Sequence, residues 1–584
     1  MGKGVTRSGV LAGAALFLVA ARASADPASI TGRYTDYEDQ AIHDAASELK
    51  TTVEPQPEGK RIERIVFVRL DPIDTHDPLP LQLDVVHATS RPHVLAHEIL
   101  VRQDDVWKKT LVDESARNLR LLPQLSLVLI VPMRGSTSGS VVMVVITKDV
   151  WSLYVDFDID ATSGGIEMLD LEPKETNIAG LQHTALARFV LTPNTYSFGA
   201  SYEVPRLDGR WLDLLFDGNV IVNSATGAPE GTYGSASITR PLYSSQTKWA
   251  WTTFVSWTDQ IDRRYENARL TYFDGTSVPW LWRERTLVEQ AKITRSFGWE
   301  TKNDLSVGAS IQHTAYEVPS DPSLDPAAVA AFQRADVPVG EDRVGPFIQW
   351  HGYTSNFVRV FDLDTLGLQE DNRLGHDLWL RLYPVFRAVG STRDLFGAYA
   401  AAACTVALGD GLMTAAVETT TEVEPDRISD ASVQTSVAIV TPRTGVGRLV
   451  FATTLLDRWR NYLNVQSYLG GDTMLRGFPS HQFAGKNLFA TNLEYRTPHV
   501  DLASILLGLA AFYDVGDAFD GFDHFDAKHS VGFGMRAVFP QVERAVMRFD
   551  VGFPIETQGF GGASFQLAFH QAIGVPVVGG GRGP

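Results

Sequence analysis

Three charged side chains in the last fifth of this 584-residue chain have the types and spacing needed for an ion-pair cluster: Arg476, Glu494 and Asp514. A guanidinium binds carboxylates through planar, charge-assisted hydrogen bonds, which hold a structure together without covalent chemistry. Alternation along the strand-like segment 488–496 places Glu494 on its polar face. On the next such segment Asp514 shares a face with Gly516, so both carboxylates are predicted to point the same way. The residues alone leave open whether Arg476 is instead a solvated loop charge.

Motifs of known reaction centres are missing from the sequence. It contains no Gly-x-Ser-x-Gly elbow, no Walker A loop and no His-Glu-x-x-His pair. The single cysteine, Cys404, excludes an intrachain disulfide, and no Cys/His cluster has zinc spacing. Asp517, Asp520, Asp523 and Asp526 would suit a divalent cation, but a solvated outer loop is the simpler interpretation. We therefore predict no enzymatic activity, no cofactor and no metal site.

Charge and the N-terminal segment indicate an exported protein. The 51 Lys and Arg against 69 Asp and Glu give a net charge of -18. This balance argues against a nucleic-acid binder, which needs a basic face. Two basic residues precede an apolar run over 10–21, and small residues follow at 23–25. Residues 1–25 are therefore predicted to be a cleaved signal peptide, because the apolar run is too short for a membrane anchor.

A linker and a small α+β domain are predicted to follow the signal peptide. Residues 26–58 are polar and contain prolines, so we expect a linker with one possible short helix from Tyr37 to Lys50. Residues 59–150 show a β-branched run, two helical patterns and two further strand-like runs, in the order β-α-α-β-β. The expected elements are a strand at 62–68, helices at 94–101 and 111–122, and strands at 125–131 and 141–147.

From Trp151 onward the helical patterns give way to short runs that alternate between apolar and polar or tiny residues, as in 305–311 and 547–553. The apolar face is bulky and includes Trp249 and Trp251, while the opposite face carries Gly, Ser, Asp and Arg. A soluble core would not face such residues, whereas a transmembrane barrel has lipid outside and a polar lumen. We predict a mainly β fold, with an antiparallel barrel of about 16 strands over 152–573 and a disordered tail over 574–584.

Three motifs occur in a fixed order near the C-terminus, and with them the chain resembles a known family. It is similar to the BamA/TamA-like outer-membrane barrels of the bacterial surface antigen superfamily, which also includes two-partner secretion transporters. The domain over 59–150 resembles the polypeptide-transport-associated (POTRA) domain of that family, which has the same element order. The resemblance covers nearly all of the mature chain and is strongest over 470–570. The motifs are Arg476-Gly477-Phe478, Asn492-Leu493-Glu494-Tyr495-Arg496 and Phe512-Tyr513-Asp514-Val515-Gly516.

The resemblance implies a role for each part of the first motif. In the family the loop that carries this motif folds back into the barrel, so Arg476 is expected to pair there with Glu494 and Asp514. Gly477 is expected to permit a tight turn, and Phe478 completes the motif. In the third motif, Phe512 and Gly516 mark the strand that carries Asp514.

The resemblance also implies how the barrel closes. The last strand, expected over 563–570 with the aromatic residues Phe565 and Phe569, must pair with the first, expected near 181–191. In the family this seam is weak and opens laterally for client strands, and an open strand edge is a template for β-augmentation. Two features depart from the family. The chain continues after Phe569, and there is one POTRA-like domain where the central assembly factor has several.

The expected function is therefore assembly, insertion or translocation of polypeptides in the outer membrane by templated strand pairing at a POTRA edge and the barrel seam. The expected partners are unfolded outer-membrane or secreted polypeptides, the outer-membrane bilayer and periplasmic accessory proteins, with no nucleic acid. The barrel is expected in the outer membrane and the N-terminal domain in the periplasm. Two alternatives remain, a secretion pore for one dedicated substrate and a passive porin or surface antigen.

Overall fold

The structure is a computed structural model that describes residues 34–73, 88–471, 474–502, 505–556, 559–560 and 562–573. The predicted signal peptide at 1–25 and the predicted disordered tail at 574–584 lie outside the described residues. Within the described ranges, no helix is long and apolar enough to cross a membrane.

The N-terminal part is a three-stranded sheet covered by helices on both faces, in the predicted order β-α-α-β-β. Strand β3 lies in the centre, parallel to β1 and antiparallel to β2. It is buried along its whole length because α2 and α3 pack on one face of the sheet and α1 on the other. The elements are α1 (Asp36–Glu48), β1 (Arg61–Leu70), α2 (Pro92–His97), α3 (Lys109–Arg120), β2 (Leu125–Arg134) and β3 (Ser140–Asp149).

Helix α1 is the short helix expected inside the linker, and it is part of this folded domain. Thr35 accepts a hydrogen bond from the Glu38 backbone N–H, and the Glu38 carboxylate accepts one from the Thr35 N–H. This reciprocal capping satisfies two backbone donors that a helix start leaves free. Ile42 and Ala45 then pack against the sheet. The segment therefore adds to the core of the domain, and the predicted linker at 26–58 does not run free through this stretch.

The rest of the chain forms a closed antiparallel barrel. The first strands of its wall are β4 (Leu153–Thr162), β5 (Gly165–Glu175), β6 (Thr184–Leu191), β7 (Thr195–Val204), β8 (Asp213–Asn223), β9 (Pro229–Arg240), β10 (Trp249–Arg263), β13 (Leu281–Phe297), β14 (Thr301–Glu317), β15 (Asp342–Thr354), β16 (Asn356–Phe361) and β17 (Gln369–Val385). The remaining strands of the wall are β18 (Leu395–Leu408), β19 (Gly411–Val423), β20 (Ile428–Val440), β21 (Arg448–Asn461), β24 (Asn487–Arg496), β25 (Val500–Leu502), β26 (Ile505–Phe519), β27 (Lys528–Phe539), β28 (Glu543–Glu556), β29 (Gly559–Phe560) and β30 (Ser564–Ala568). Two small hairpins, β11 (Tyr265–Glu266) with β12 (Arg269–Leu270) and β22 (Ser467–Leu469) with β23 (Phe483–Gly485), lie outside the wall.

The described residues form a wall of 20 strands, since β16, β25 and β29 continue β15, β24 and β28. The prediction of about 16 strands was wrong because it assumed long connections throughout, whereas turns such as 409–410 are only two residues long. The first strand begins at Leu153 and not near 181–191. The three aspartates of β4 alternate with apolar residues: Leu153 and Val155 are exposed on the outer face, and Asp160 is buried on the lumen face.

Alternation along the wall follows the predicted pattern. On β14, Leu305, Val307 and Ile311 are exposed on the outer face, while Ser306 between them is buried. The same pattern recurs on β27, where Phe533 is exposed and Arg536 is buried. Because successive strand residues point to opposite faces, the outside is a belt of bulky apolar side chains and the lumen is polar.

The two ends of the barrel differ. The N-terminal domain contacts the end with the shorter turns, where Arg120 of α3 binds Asp371 (Nε to Oδ2, 2.6 Å). Arg206, in the turn after β7, binds Glu98 (Nε to Oε1, 2.9 Å). The opposite end carries the longer loops and helix α4 (Pro326–Ala335), whose Phe332 packs against Trp280. We call these the domain end and the loop end.

Candidate functional site

The loop between β21 and β24 carries the first motif and lies inside the barrel. Leu475, Arg476 and Phe478 are all buried. Leu475 and Phe478 belong to an apolar cluster with the inner faces of β24 and β26, including Leu488 and Ala518. The β22–β23 hairpin forms the base of the loop at the loop end of the barrel. The loop is therefore held by packing as well as by its charge.

Arg476 contacts both predicted carboxylates. It binds Asp514 in a bidentate pair, with Nε to Oδ2 and Nη2 to Oδ1 both 2.9 Å, and its Nη1 is 2.5 Å from Glu494 Oε2. Its backbone N–H also donates to Asp514 (3.2 Å). Strands β24 and β26 are adjacent and pair Asn492 with Asp514. The three side chains are at most 1% exposed, so this is an internal bond and not a solvated surface contact.

Phe512 and Asn492 complete the setting of Arg476. The Phe512 ring, on the same inner face as Asp514, lies 3.6 Å from the Arg476 guanidinium carbon, which is a cation–π contact. Asn492 donates to Asp514 (2.8 Å) and to the Met474 carbonyl (2.7 Å), which ties the loop backbone to the wall. The planar guanidinium is therefore fixed on its edge by carboxylates and on its face by an aromatic ring.

Alternation alone did not identify the whole ion-pair network. Asp550 on β28 lies 3.3 Å from Arg476 and 2.6 Å from Arg536 of β27. Arg548 contacts the same carboxylate at 3.1 Å, and Arg496 binds Glu494 at 2.7 Å. The signal was present in the sequence, because Arg536, Arg548 and Asp550 occupy the polar face of their strands. Alternation along a strand predicts which face of the sheet a side chain lies on, but it does not predict the register between neighbouring strands.

The network holds four guanidinium groups and three carboxylates, all within the lumen. We call it the lumen network; it consists of Arg476, Arg496, Arg536, Arg548, Glu494, Asp514 and Asp550. Buried ions need partners, because an uncompensated buried charge carries a large desolvation cost. Each carboxylate here contacts at least one arginine, so the network links the loop to β24, β26, β27 and β28.

Gly477 lies in the turn that the Phe478 backbone N–H closes on the Leu475 carbonyl (3.3 Å), and the steric need for glycine here comes from close approach to the wall. Its φ angle does not lie in the left-handed region. A Cβ atom at this position would lie 2.4 Å from the Ser530 Cβ and 2.9 Å from the Phe553 backbone carbon. Gly552 on β28 shows the same constraint from the wall side, since its Cβ would lie 2.5 Å from the Arg476 carbonyl oxygen. The loop backbone therefore touches the wall directly.

We expect Gly477→Ala to displace the loop and to lower the thermal stability of the barrel, because overpacking of this kind costs about 1–3 kcal/mol. The temperature at which the folded band disappears in unboiled gel electrophoresis measures the effect. Gly445→Ala is the matched control, since nothing lies within 4 Å of its added Cβ. Equal melting temperatures of the two variants would contradict the close-approach role.

The remaining predicted site residues lie at the loop and the seam. Phe478 packs edge-on against Phe483 of the loop, with ring centroids 5.1 Å apart. Gly516 leaves room for Leu469, whose Cδ2 would lie 2.8 Å from an added Cβ. Phe565 is exposed on the outer face, and Phe569 meets Phe157 of β4 edge-on at 4.9 Å.

The seam between β30 and β4 is short. Four residue pairs join these strands, from Ser564 with Thr162 to Leu567 with Ile159. By comparison, β10 and β13 pair over 15 residues. Residues 153–158 of β4 continue past the last paired residue of β30. The wall there is held by side chains, with Phe569 on Phe157 and a hydrogen bond from Tyr154 to Glu543 (2.5 Å).

The loop contacts both sides of this seam from inside. On the β30 side, Gln566 donates to the Arg476 carbonyl (3.1 Å) and Ser564 donates to the Phe478 carbonyl (3.3 Å). On the other side, Ser480 donates through its hydroxyl to Asp160 of β4 (3.0 Å) and through its backbone N–H to Glu167 of β5 (2.8 Å). The loop therefore bridges the first and last strands.

The chain turns into the lumen after β30. The carbonyl oxygens of His570 and Ile573 accept hydrogen bonds from Arg548 and Arg496, each at 3.1 Å. Ile573 is buried against Val358 and other lumen residues. The last strand was predicted over 563–570 and is observed over Ser564–Ala568, and the lumen network binds the residues that follow.

A second ion-pair cluster lies on turns at the domain end. His499 Nδ1 is 3.2 Å from Asp362, which also accepts hydrogen bonds from Arg443 (2.7 Å) and the Gly367 backbone (2.6 Å). The hydrogen bond to Asp362 raises the pKa of His499. Burial alone would raise the pKa of Asp362, but the bonds from His499, Gly367 and Arg443 lower it to about 2.

These shifts predict a pH-dependent contribution to stability. Because the pKa of His499 is raised in the folded protein, its protonated form stabilises the fold at pH values below the ordinary histidine pKa of about 6.5. This contribution is lost as the pH rises through the pKa of His499 in the folded state. Replacing His499 by glutamine is expected to lower the melting temperature at pH 5.5, by the equivalent of up to about 1 kcal/mol, and to leave it unchanged at pH 9. A difference between the two proteins that grows with pH would contradict this assignment.

The acidic residues after Asp514 have separate partners. Asp517 accepts from the Asp526 backbone (2.8 Å), and Asp520 accepts from the Lys486 backbone (3.0 Å). Over the described ranges, no group of three or more metal-ligating side chains is arranged to hold an ion. Asp520 therefore connects two loops at the loop end, whereas Asp517 stabilises the β26–β27 loop itself.

The chain resembles known proteins in fold alone. No protein-family model matches the sequence, and no curated protein sequence matches it. Among solved structures, the chain is similar to BamA from Haemophilus ducreyi lacking POTRA domains 1–3, with 10% identity over 92% of this chain and 94% of that one, at a TM-score of 0.34. It is similar to CdiB from Escherichia coli, with 13% identity over 92% and 89% of the chains and a TM-score of 0.44. It is also similar to the FrpB iron transporter from Neisseria meningitidis, with 8% identity over 76% and 87% and a TM-score of 0.36. Identities and scores this low carry no inference about function.

Proposed function

We propose that this protein is an outer-membrane barrel that inserts or translocates polypeptides by pairing their strands with the open edge at its β30–β4 seam. The outer membrane is the compartment that suits a closed barrel with an apolar outside and a polar lumen, because strand pairing around the wall satisfies most of its backbone groups without water. The N-terminal domain would then lie in the periplasm, as a POTRA-like module at the domain end.

The single observation that carries the proposal is the shortness of the seam. The wall closes on four pairs, against five for β28–β30 and β5–β6 and 15 for β10–β13, and residues 153–158 of β4 extend beyond the paired residues. An unpaired strand edge presents backbone donors and acceptors that another strand can satisfy. Pairing of this kind needs no covalent chemistry, so we propose a non-enzymatic mechanism with unfolded β-rich polypeptides as partners.

The occupied lumen favours this proposal over a passive porin. The loop with Arg476 lies inside the barrel, and residues 570–573 enter it from the domain end. The N-terminal domain contacts the same end through Arg120 and Asp371. A diffusion pore needs a continuous water-filled path, whereas here buried side chains of the loop lie inside the lumen. Opening at the seam would break the hydrogen bonds of the loop to one side only, so the loop can stay bound to the other.

Depletion of the protein tests the proposal. Under depletion, quantitative proteomics of the outer membrane is expected to show several barrel proteins falling together while lipoproteins stay constant. Loss of one exported substrate alone would reassign the protein as a dedicated secretion pore. A change in small-solute uptake with unchanged protein levels would reassign it as a porin.

Re-expression of a matched variant gives the control. Arg427→Ala alters an exposed turn residue that binds only Glu424 among the described ion pairs, and it should restore the outer-membrane proteins as fully as the wild type. Failure of this variant would show that the effect of depletion does not report on the seam or the lumen network.

A further inference from the structure

A carboxylate faces outward within the apolar belt. Glu289 lies on the outer face of β13 between Leu287 and Ala291. Its neighbours across the strands are Val255 on β10 and Ile311 on β14. Along β13 the next charged residue of the same face towards the loop end is Arg285, four positions away, which is roughly 10 Å along the barrel axis at the usual rise and tilt. On the neighbouring strands the exposed His313–Asp342 pair lies nearer, two positions beyond Ile311. Glu289 therefore lies within the belt, inside the polar pairs of its rim.

A groove surrounds Glu289 on the outer surface. It has a volume of about 670 Å³ and a floor of small side chains, Ala236, Thr253, Ala291 and Ala309, with Phe216 and Ile311 rising beside it. Within the part of the chain that the structure describes, no hydrogen bond or ion pair reaches the Glu289 carboxylate. Asp259, another outward acid nearer to the loop end, is by contrast paired with Arg283 at 2.7 Å.

An unpaired carboxyl group at this depth is costly, because hydrocarbon offers it no hydrogen-bond partner. Membrane-embedded ionisable groups accordingly tend to pair with one another or with backbone groups. A two-fold axis along the membrane normal places identical residues of two copies at identical depth. Two carboxyl groups that meet in this way satisfy each other, since a protonated carboxyl is both donor and acceptor.

The rim above the groove is self-complementary as well. Arg285 and Glu317 are both largely exposed there and lie 3.5 Å apart, so they are at the same depth. In a two-fold arrangement each can face the opposite charge of the other copy. The shape of the surface is self-complementary as well, because the small residues of the groove form a depression and the larger Phe216 and Ile311 beside it project outward. A second copy of the chain can therefore supply a partner for Glu289, opposite charges at the rim and side chains that fit the groove.

We propose that the groove around Glu289 is the interface between two copies of this chain in the membrane, with the Glu289 carboxyl groups of both copies hydrogen-bonded to each other. Such an interface requires only that the outer face meets lipid. It is independent of what happens at the seam, which lies elsewhere on the barrel wall.

Cysteine cross-linking in native membranes tests the interface. In a Cys404→Ala background, Ala291→Cys is expected to give an oxidised species of twice the chain mass. Ala511→Cys is the matched control, because it is also an exposed alanine but lies on β26, on the far side of the barrel. It should remain monomeric. Equal yields from the two positions, or an Ala291→Cys adduct with a different protein, would overturn the proposal.

A second pair of variants tests the carboxyl contact itself. Glu289→Leu should lower the cross-linking yield of Ala291→Cys at least tenfold, which corresponds to about 1.4 kcal/mol. Glu289→Gln should retain most of it, because two amides can also donate to and accept from each other. An unchanged yield in Glu289→Leu would overturn the role of Glu289. Glu289→Leu is expected to insert normally, since leucine is well tolerated on a lipid-facing surface. Insertion of both variants is checked separately from the cross-linking yield.

Discussion

Arg476→Glu is expected to abolish formation of the stable barrel. The substitution removes a guanidinium that binds Asp514 and Glu494 and places a fourth carboxylate beside Asp550. Removing one partner of a buried ion pair costs about 3–5 kcal/mol, a large share of the roughly 5–15 kcal/mol that stabilises a folded domain. The readout is the mobility of unboiled protein in gel electrophoresis, where the folded, faster band should be lost.

Two further variants make this prediction specific. Arg476→Lys should give an intermediate result, because lysine keeps the charge but cannot form the bidentate pair with Asp514. Arg427→Glu reverses an exposed arginine on a short turn and should behave as the wild type. A folded, fully active Arg476→Glu protein would show that the lumen network is dispensable and would remove the loop from the functional proposal.

Fixing the seam covalently is expected to abolish activity while leaving the barrel assembled. Phe565 and Ala161 face each other across β30 and β4. Antiparallel partners lie about 4.5–5.5 Å apart at Cα, which is within the range that a disulfide spans. In a Cys404→Ala background, the Phe565→Cys/Ala161→Cys protein should lose activity on oxidation and recover it on reduction. Activity is measured as restoration of outer-membrane protein levels after depletion.

The control for this experiment is a disulfide in a part of the wall that need not open. Val417 and Thr435 face each other on β19 and β20, and their double cysteine variant should stay active when oxidised. If the seam disulfide forms quantitatively and activity persists, client strands do not pair at the seam. The protein would then act through a route that leaves the barrel closed.

The fold was predictable to the extent that it depends on alternation. Runs such as 305–311 show which side chains face outward, and this fixes a barrel with a polar lumen. The number of strands was not predictable, because the connections between strands differ widely in length, as the two residues at 409–410 and the 24 residues at 318–341 show. Register is set by how neighbouring strands align, which no local pattern contains.

The site was predictable in part for the same reason. The pairing of Arg476 with Glu494 and Asp514 follows from two strand faces and the resemblance of the loop motif. The role of Asp550 required knowing that β28 aligns its aspartate at the level of Arg476. Gly477 was assigned to a turn because glycine often serves that purpose, whereas the constraint comes from Ser530 on a strand more than 50 residues away. Long-range steric constraints leave no trace in the local sequence.

The inward turn of residues 570–573 leaves the domain-end half of the seam without a backbone ladder. Ring contact between Phe569 and Phe157, and one phenol on Glu543, fill that stretch. Loss of these few side-chain contacts would open a narrow slot facing the N-terminal domain while the ladder nearer the loop end stays intact. An incoming segment could then reach the β4 edge before any paired strand has to separate.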